Sequence, residues 1–432
     1  MLSLFPHQQK ALEETKELNR VAYYLDMGLG KTFVGSEKAV SFPDKILVIC
    51  QKSKIEDWID HFQKYYPLTV FDLTKKQQLE EYSGTVGKCV GVINYDLVFR
   101  RSYMAYISDF TLVLDESSII QNETTKRSKF ILNMNPQNVI LLSGTPTDGK
   151  YENLWSQLQL LGWTITKKRY WEHFVEVEWI EDGNSGFRIP VVRGYKNVDR
   201  LKTKLKDHGA IFMKTDEAFE LPEQIENVVQ VSAATDYRKF MKNSLVTVKK
   251  LNVHVSGMET GQEVELIGDT RLTKRLYARQ LCGQYNKNKL QAFEDLINST
   301  NDRLIVFYNF NEELELLQQI ALKKTPNISL VNGSRKDLQA YSLYDDSITF
   351  IQYQAGARGL DLQLANKIIY FTLPESSELF EQSKKRTHRI GQKRSCFYYY
   401  LLCRNSVEMA ILETLKMRKD YTDELFERMD KG

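Results

Sequence analysis

The chain has 432 residues, 42% hydrophobic and 27% charged, which excludes a disordered or fibrous polymer and predicts two or three globular domains of ~100–200 residues. Its 59 basic residues nearly balance 56 acidic ones, for a net charge of +3, so no overall field steers it to nucleic acid and any such surface must come from local clustering. No run approaches the ~20 apolar residues of a bilayer span. The start MLSLFPHQQK lacks the pattern of a secretory signal. The five cysteines Cys50, Cys89, Cys282, Cys396 and Cys403 are scattered, with no C-x-x-C pair. They predict a reduced compartment rather than a disulfide framework. His388, Cys396 and Cys403 have the wrong spacing for a zinc site.

In chain order, the first candidate element is the strand RVAYYLD, followed by LDMGLGKT (Leu25 to Thr32) and the helical pattern TFVGSEKAV. Gly28 and Gly30 let the backbone turn with its N–H groups toward a phosphate. Lys31 would reach the β and γ phosphates and Thr32 would ligate magnesium. The helix N-terminus behind them favours an anion. Leu25 stands where the full phosphate-loop pattern has Gly, and a Gly-rich turn with a surface lysine is the plain alternative.

Continuous apolar runs follow at KILVIC, CVGVINY, TLVLDES and NVILLSGT, separated by helical patterns such as KIEDWIDHFQKYY. Strands alternating with helices predict a parallel sheet covered on both faces, with ligands beyond the carboxyl ends of its strands. Asp115 and Glu116 end one such strand. Asp115 would hold magnesium through water and Glu116 would orient and deprotonate the attacking water. Two solvated carboxylates are the bland reading of any such pair. Trp58 lies on the apolar stripe of its helix and reads as core.

From about Thr166 to Thr270 the rhythm weakens. WIEDGNSGFRIPVV and NVHVSGMETGQEVELIGDT suggest hairpins, LVTVKKLNVHV a basic patch, and the stretch as a whole insertions and a linker. The α/β alternation returns at DRLIVFYNF, SITFIQY and NKIIYFTL. Then comes SKKRTHRIGQKR, where six of twelve residues are Lys or Arg. Composition leaves it open between a targeting signal, a DNA-contacting face, a solvated helix end and part of a catalytic site.

These segments together resemble the Swi/Snf-type family of superfamily-two helicase-like ATPases, over nearly the whole chain. The resemblance rests on DMGLGKT, LVICQKSKIEDWIDHFQKY, DESSIIQN, LLSGTPTDGKYENLWSQLQLL, FMKTDEAFELP, RLIVFYNFNEELELL, LVNGS, QAGARGLDLQLANKIIYF and THRIGQKR, in family order. Ser117 and Ser118 replace the usual Ala and His after the acidic pair, and paired arginines are missing from the link out of the first lobe. The fold implied is α/β, with two RecA-like lobes, an ATP cleft between them and small insertions. The lobes are expected at 1–225, with an insertion near 166–200, and at 226–432, with a linker or insertion near 226–275.

The resemblance also implies residue roles. Gln8 matches an adenine-reading glutamine. The loop Met27, Gly28, Leu29, Gly30, Lys31 and Thr32 would hold the phosphates, and Ser143 and Thr145 would couple the ATP site to DNA. Arg386 and Arg389 stand four and seven residues after Gln382, similar to the superfamily's Q-x-x-x-R-x-x-R pattern. Residues three apart share a helix face, so both guanidiniums would project onto the triphosphate, with Gly359 and Asp361 beside the nucleotide. Lys54, Asn94, Tyr95, Gly333, Ser334, Gln354 and Arg358 would meet nucleic acid, mainly its phosphates. Lys384, Lys385, Lys393 and Arg394 stay open between DNA phosphates and solvent.

The implied activity is ATP- and Mg2+-dependent, DNA-stimulated translocation on duplex DNA that remodels protein–DNA complexes. A strand-separating helicase, a nucleotide-gated binding module without turnover and a small-molecule kinase are the alternatives. A compact bacterial or phage form, cytoplasmic and monomeric, is expected, with no membrane contact and a protein partner in replication, recombination or repair.

Overall fold

A computed structural model describes residues 4–26, 28–181, 188–254, 257–356 and 360–426. The chain forms two units, Met1–Phe219 with Asp420–Gly432, and Glu220–Lys419. Each is built on a seven-stranded sheet, so the architecture is the two-lobe α/β one expected.

The first sheet contains β1 (Arg20–Leu25), β2 (Lys45–Cys50), β3 (Val70–Asp72), β4 (Val90–Asn94), β5 (Phe110–Asp115), β6 (Asn138–Leu142) and β9 (Ala210–Met213), in the order β3-β4-β2-β5-β6-β1-β9. All its neighbours pair in parallel. Alternate residues enter opposite cores: Ala22 and Tyr24 face one, Val21, Tyr23 and Leu25 the other. Both faces are covered, which is why these strands read as unbroken apolar runs. The carboxyl ends of β1, β2, β4, β5 and β6 lie along one edge, and every polar strand end singled out in this half sits there.

The second sheet runs β10 (Gln224–Val231), β18 (Cys396–Cys403), β17 (Lys367–Tyr370), β13 (Leu304–Tyr308), β16 (Ile348–Gln352), β14 (Ile328–Val331) and β15 (Lys336–Asp337). It is parallel except for the β14–β15 pair.

The middle stretch differs from the reading as insertions and a linker. Two antiparallel hairpins are present, β7–β8 (Val175–Glu181, Arg188–Tyr195) and β11–β12 (Leu245–His254, Gly257–Ile267). However, β9 and β10 are edge strands of the two main sheets. Edge strands lose burial on their open side. Along β10 exposed residues alternate with half-buried ones, so no apolar run marks it. Nor is LVTVKKLNVHV a free basic patch: Val246, Val248, Leu251 and Val253 are buried, while Lys249 and Lys250 pair with Glu263 and Glu312. Among the described residues no helix is long and apolar enough to cross a membrane.

One buried charge pair underlies the second unit. Lys289 and Glu408 are 0% and 3% exposed at their side chains and meet at 2.5 Å. Glu408 also accepts from the Cys403 N–H at 2.9 Å, and Asn286 donates to Cys403 Sγ at 3.0 Å. Cys282, Cys403 and Glu408 lie within 4.8 Å of one another, but the ammonium of Lys289 already neutralises the carboxylate. Lys289→Met is therefore expected to strand a buried anion and cost ~3–5 kcal/mol in urea unfolding, with Glu408→Gln added to it recovering part of the loss.

Candidate nucleotide site

The phosphate loop joins β1 to helix α2 (Lys31–Ser41). Gly28 and Gly30 have φ of 87° and 74°, values that L side chains rarely adopt. A side chain at Gly30 would also sit 2.2 Å from Gln8 Nε2, so glycine is required there twice over. Among the described residues no side chain caps α2, so its first N–H groups suit an anion. Lys31 Nζ donates to the carbonyls of Leu25 at 3.0 Å and Asp26 at 3.4 Å, and Thr32 occupies the first turn of α2. Met27 lies outside the described residues.

Gln8, on helix α1 (Pro6–Glu14), is buried against this loop: it donates to the Leu29 carbonyl at 3.0 Å and accepts from the Phe5 N–H at 2.9 Å. Asp26 accepts from Thr215 Oγ1 at 2.8 Å, tying the loop to the segment after β9.

Asp115 closes β5, and Glu116 follows in the left-handed region at φ 56°, ψ 62°. A non-glycine residue held there stores strain that its surroundings must support. Tyr95 provides support: its hydroxyl donates to the Asp115 carbonyl at 3.0 Å and lies 3.5 Å from that of Glu116. Trp58 is core, as expected, but it also donates from its indole nitrogen to Asp115 Oδ2 at 2.9 Å. Burial and then the neighbouring Glu116 charge push the Asp115 carboxyl up to about 6, against the opposing Trp58 bond and Lys31 ammonium. Neither supporting role was visible in the sequence; an apolar helical stripe and an N-Y dipeptide after a strand were the only marks.

The β6 strand, between β5 and β1, delivers Ser143 and Thr145 to the same edge. Ser143 Oγ accepts from the Thr145 N–H at 3.2 Å. Glu116 Oε2, Ser118 Oγ and Thr145 Oγ1 are buried without a hydrogen-bond partner among the described residues. Buried polar atoms are ordinarily paired, so these orphans suit a bound polar group. With Thr32 and Asp115 as hard oxygen donors, the site fits a magnesium-bound triphosphate.

In the second unit the arginines depart from the helix-face expectation. The helix Ser377–Lys384 stops with a C-cap at Lys385, so Arg386 and Arg389 lie in the turns beyond it. There the chain is knitted to segment 360–365. Arg386 donates to the Leu360 carbonyl at 3.1 Å, Arg389 pairs with Asp361, and Gln392 donates to the carbonyls of Gln363 at 3.0 Å and Ala365 at 2.9 Å. Arg386 is buried, whereas Arg389 keeps 27% of its side chain exposed. Lys384 faces neither DNA nor solvent: it is buried on Glu226 at 2.8 Å, 4.3 Å from the Phe380 ring centre. Burial alone would raise the Glu226 carboxyl, but Lys384, Tyr400 and Lys416 outweigh it and hold it at about 2. Gly359 lies outside the described residues.

The nucleic-acid candidates fall at other strand ends. Lys54 and Asn94 follow β2 and end β4, which are neighbours; Lys54 pairs with Asp57 at 2.6 Å. Tyr95 is 3% exposed, so its ring has no surface for a base or phosphate and belongs to the acidic turn instead. Gly333 and Ser334 follow β14 and Gln354 follows β16, again neighbours, and all three are exposed. Arg358 lies outside the described residues.

The glycine-rich loop, acidic pair and Ser-Gly-Thr-Pro turn stand on adjacent parallel strand ends and form the candidate nucleotide site. Residues 10–287 match the SNF2-related domain and residues 288–391 the helicase conserved C-terminal domain. The chain belongs to the SNF2-related family of helicase-like ATPases. It is 25% identical to the ISWI chromatin-remodeling complex ATPase ISW1 of Saccharomyces cerevisiae, over 93% of this chain but only 38% of that protein. The chain thus spans about two fifths of that relative's length. It is 21% identical to the uncharacterized ATP-dependent helicase YqhH of Bacillus subtilis, over 95% of this chain and 77% of YqhH. The solved Sulfolobus solfataricus SWI2/SNF2 ATPase core in complex with dsDNA aligns with 19% identity and a TM-score of 0.42, covering 98% of this chain.

Proposed function

We propose that this chain hydrolyses ATP to translocate along duplex DNA and remodel or displace bound protein, working through lobes 1–225 and 226–432. The observation that carries the reading is the meeting of Lys31, Thr32, Asp115, Glu116 and Thr145 on one sheet edge, in a SNF2-related chain with a helicase C-terminal domain. Gln8 and the loop hold the nucleotide. Thr32, and Asp115 through water, would hold Mg2+, which would supply neutralisation of phosphate charge. Glu116 orients and deprotonates the attacking water. Arg386 and Arg389 stabilise the developing charge.

DNA is gripped from Lys54 and Asn94 in one lobe and Gly333, Ser334 and Gln354 in the other. A lysine, short polar side chains and exposed backbone N–H groups suit contacts to phosphate and sugar, which carry no sequence choice. Strand separation is less favoured, because the long β11–β12 hairpin buries one face in the core and offers no free wedge along its described length.

ATP turnover measured with duplex, single-stranded, forked and RNA substrates tests this. Duplex DNA should stimulate most, with little unwinding of the fork. Turnover indifferent to DNA would exclude translocation.

A further inference from the structure

Gln157 lies on the short helix Trp155–Leu160 with no exposed surface. Its side-chain oxygen accepts from the Tyr24 hydroxyl at 3.0 Å and the Ser117 hydroxyl at 2.7 Å, and its amide nitrogen donates to the Pro146 carbonyl at 2.7 Å. Both lone pairs of the oxygen are thereby used.

Each partner is one residue from the nucleotide machinery. Tyr24 precedes Leu25, whose carbonyl takes Lys31. Ser117 follows the left-handed Glu116. Pro146 follows Thr145. The orphaned atoms Glu116 Oε2, Ser118 Oγ and Thr145 Oγ1 belong to the segments this amide joins. An apolar side chain of similar volume would fill the space, so packing alone does not call for an amide. A buried amide bonded through both its oxygen and its nitrogen specifies one arrangement where an apolar contact would let segments slide.

We infer that Gln157 is a positioning residue for ATP hydrolysis. It locks the turn after the acidic pair to the turn carrying Thr145, and so sets the direction of the Glu116 carboxylate against the phosphate loop. This rests on the nucleotide reading of the site but not on DNA as the track.

The test compares Gln157→Leu with the triple variant Tyr24→Phe, Ser117→Ala, Gln157→Leu. The single change leaves buried hydroxyls unpaired and should lower the melting temperature. The triple change removes those hydroxyls together with the amide and should recover much of that loss, since deleting both partners of a hydrogen bond is nearly neutral. In both, kcat for ATP should fall about tenfold, equivalent to ~1.4 kcal/mol of barrier, with KM for ATP changed less than about twofold.

A triple variant with recovered stability and wild-type kcat would overturn the inference and leave Gln157 a packing residue. A raised KM at unchanged kcat would also overturn it. Should the larger variants not fold, Ser117→Ala alone should lower kcat about threefold, and an unchanged kcat there would refute the role. Assays run with and without duplex DNA separate the two readings: a kcat loss in an enzyme indifferent to DNA supports the junction and removes the translocase, and absence of wild-type hydrolysis removes both.

Discussion

Glu116→Gln is expected to lower ATP turnover ~10²–10⁴-fold, the range that a positioned general base contributes, while nucleotide binding persists. The substitution keeps the shape of the side chain and removes its ability to take a proton. The left-handed turn should survive, because the support comes from Tyr95 and from the backbone bond between Ile119 and Glu116 and not from the carboxylate. A second readout follows from charge. Burial comes first and the Glu116 charge second among the causes that hold the Asp115 carboxyl up at about 6. Removing that charge should move Asp115 downward, so that it stays ionised at lower pH. Mg2+-dependent nucleotide binding by Glu116→Gln should then persist to lower pH than in the wild type. Isothermal titration across pH 5 to 8 measures it, and turnover within about threefold of wild type would remove Glu116 as the base.

Arg389→Ala is expected to lower turnover ~10³–10⁵-fold, the range of an arginine finger in phosphoryl transfer, with little change in melting temperature. The guanidinium is partly exposed and its ion partner Asp361 is 73% exposed at its side chain; such pairs contribute little to stability. Arg386→Ala should lose both turnover and stability, because its buried guanidinium holds the Leu360 carbonyl. Arg389→Lys should not restore the rate, since a lysine lacks the planar fork. Single-turnover hydrolysis at saturating ATP separates these effects from weakened binding. An Arg389→Ala chain that turns over at the wild-type rate would leave Arg386 as the sole candidate.

The two arginines also mark how far local spacing carries. Their interval of three suggested one helix face, yet the helix ends at Lys384 and hydrogen bonds to segment 360–365 orient them instead. The same segment shows how composition misleads: Lys384, in a run of positive charge, is an internal partner of Glu226. Likewise β10 escaped notice because an edge strand with exposed and half-buried residues in alternation lacks the apolar run of its buried neighbours. Tyr95, placed by resemblance among nucleic-acid contacts, turns inward to carry the acidic turn.

The α/β alternation, the glycine-rich turn and the acidic strand end were readable in the chain because their information is local. A glycine that must turn, a lysine beside it and a carboxylate ending an apolar run are all defined within a few residues. The supports for that chemistry lie far apart in sequence. Trp58 reaches Asp115 across 57 residues, Ser117 reaches Gln157 across 40, and Tyr24 reaches Gln157 across 133. Those contacts exist because the sheet order sets β2, β5, β6 and β1 side by side. Strand order is a property of the packed whole, since it depends on which crossover buries the most apolar surface, and no interval between residues records it.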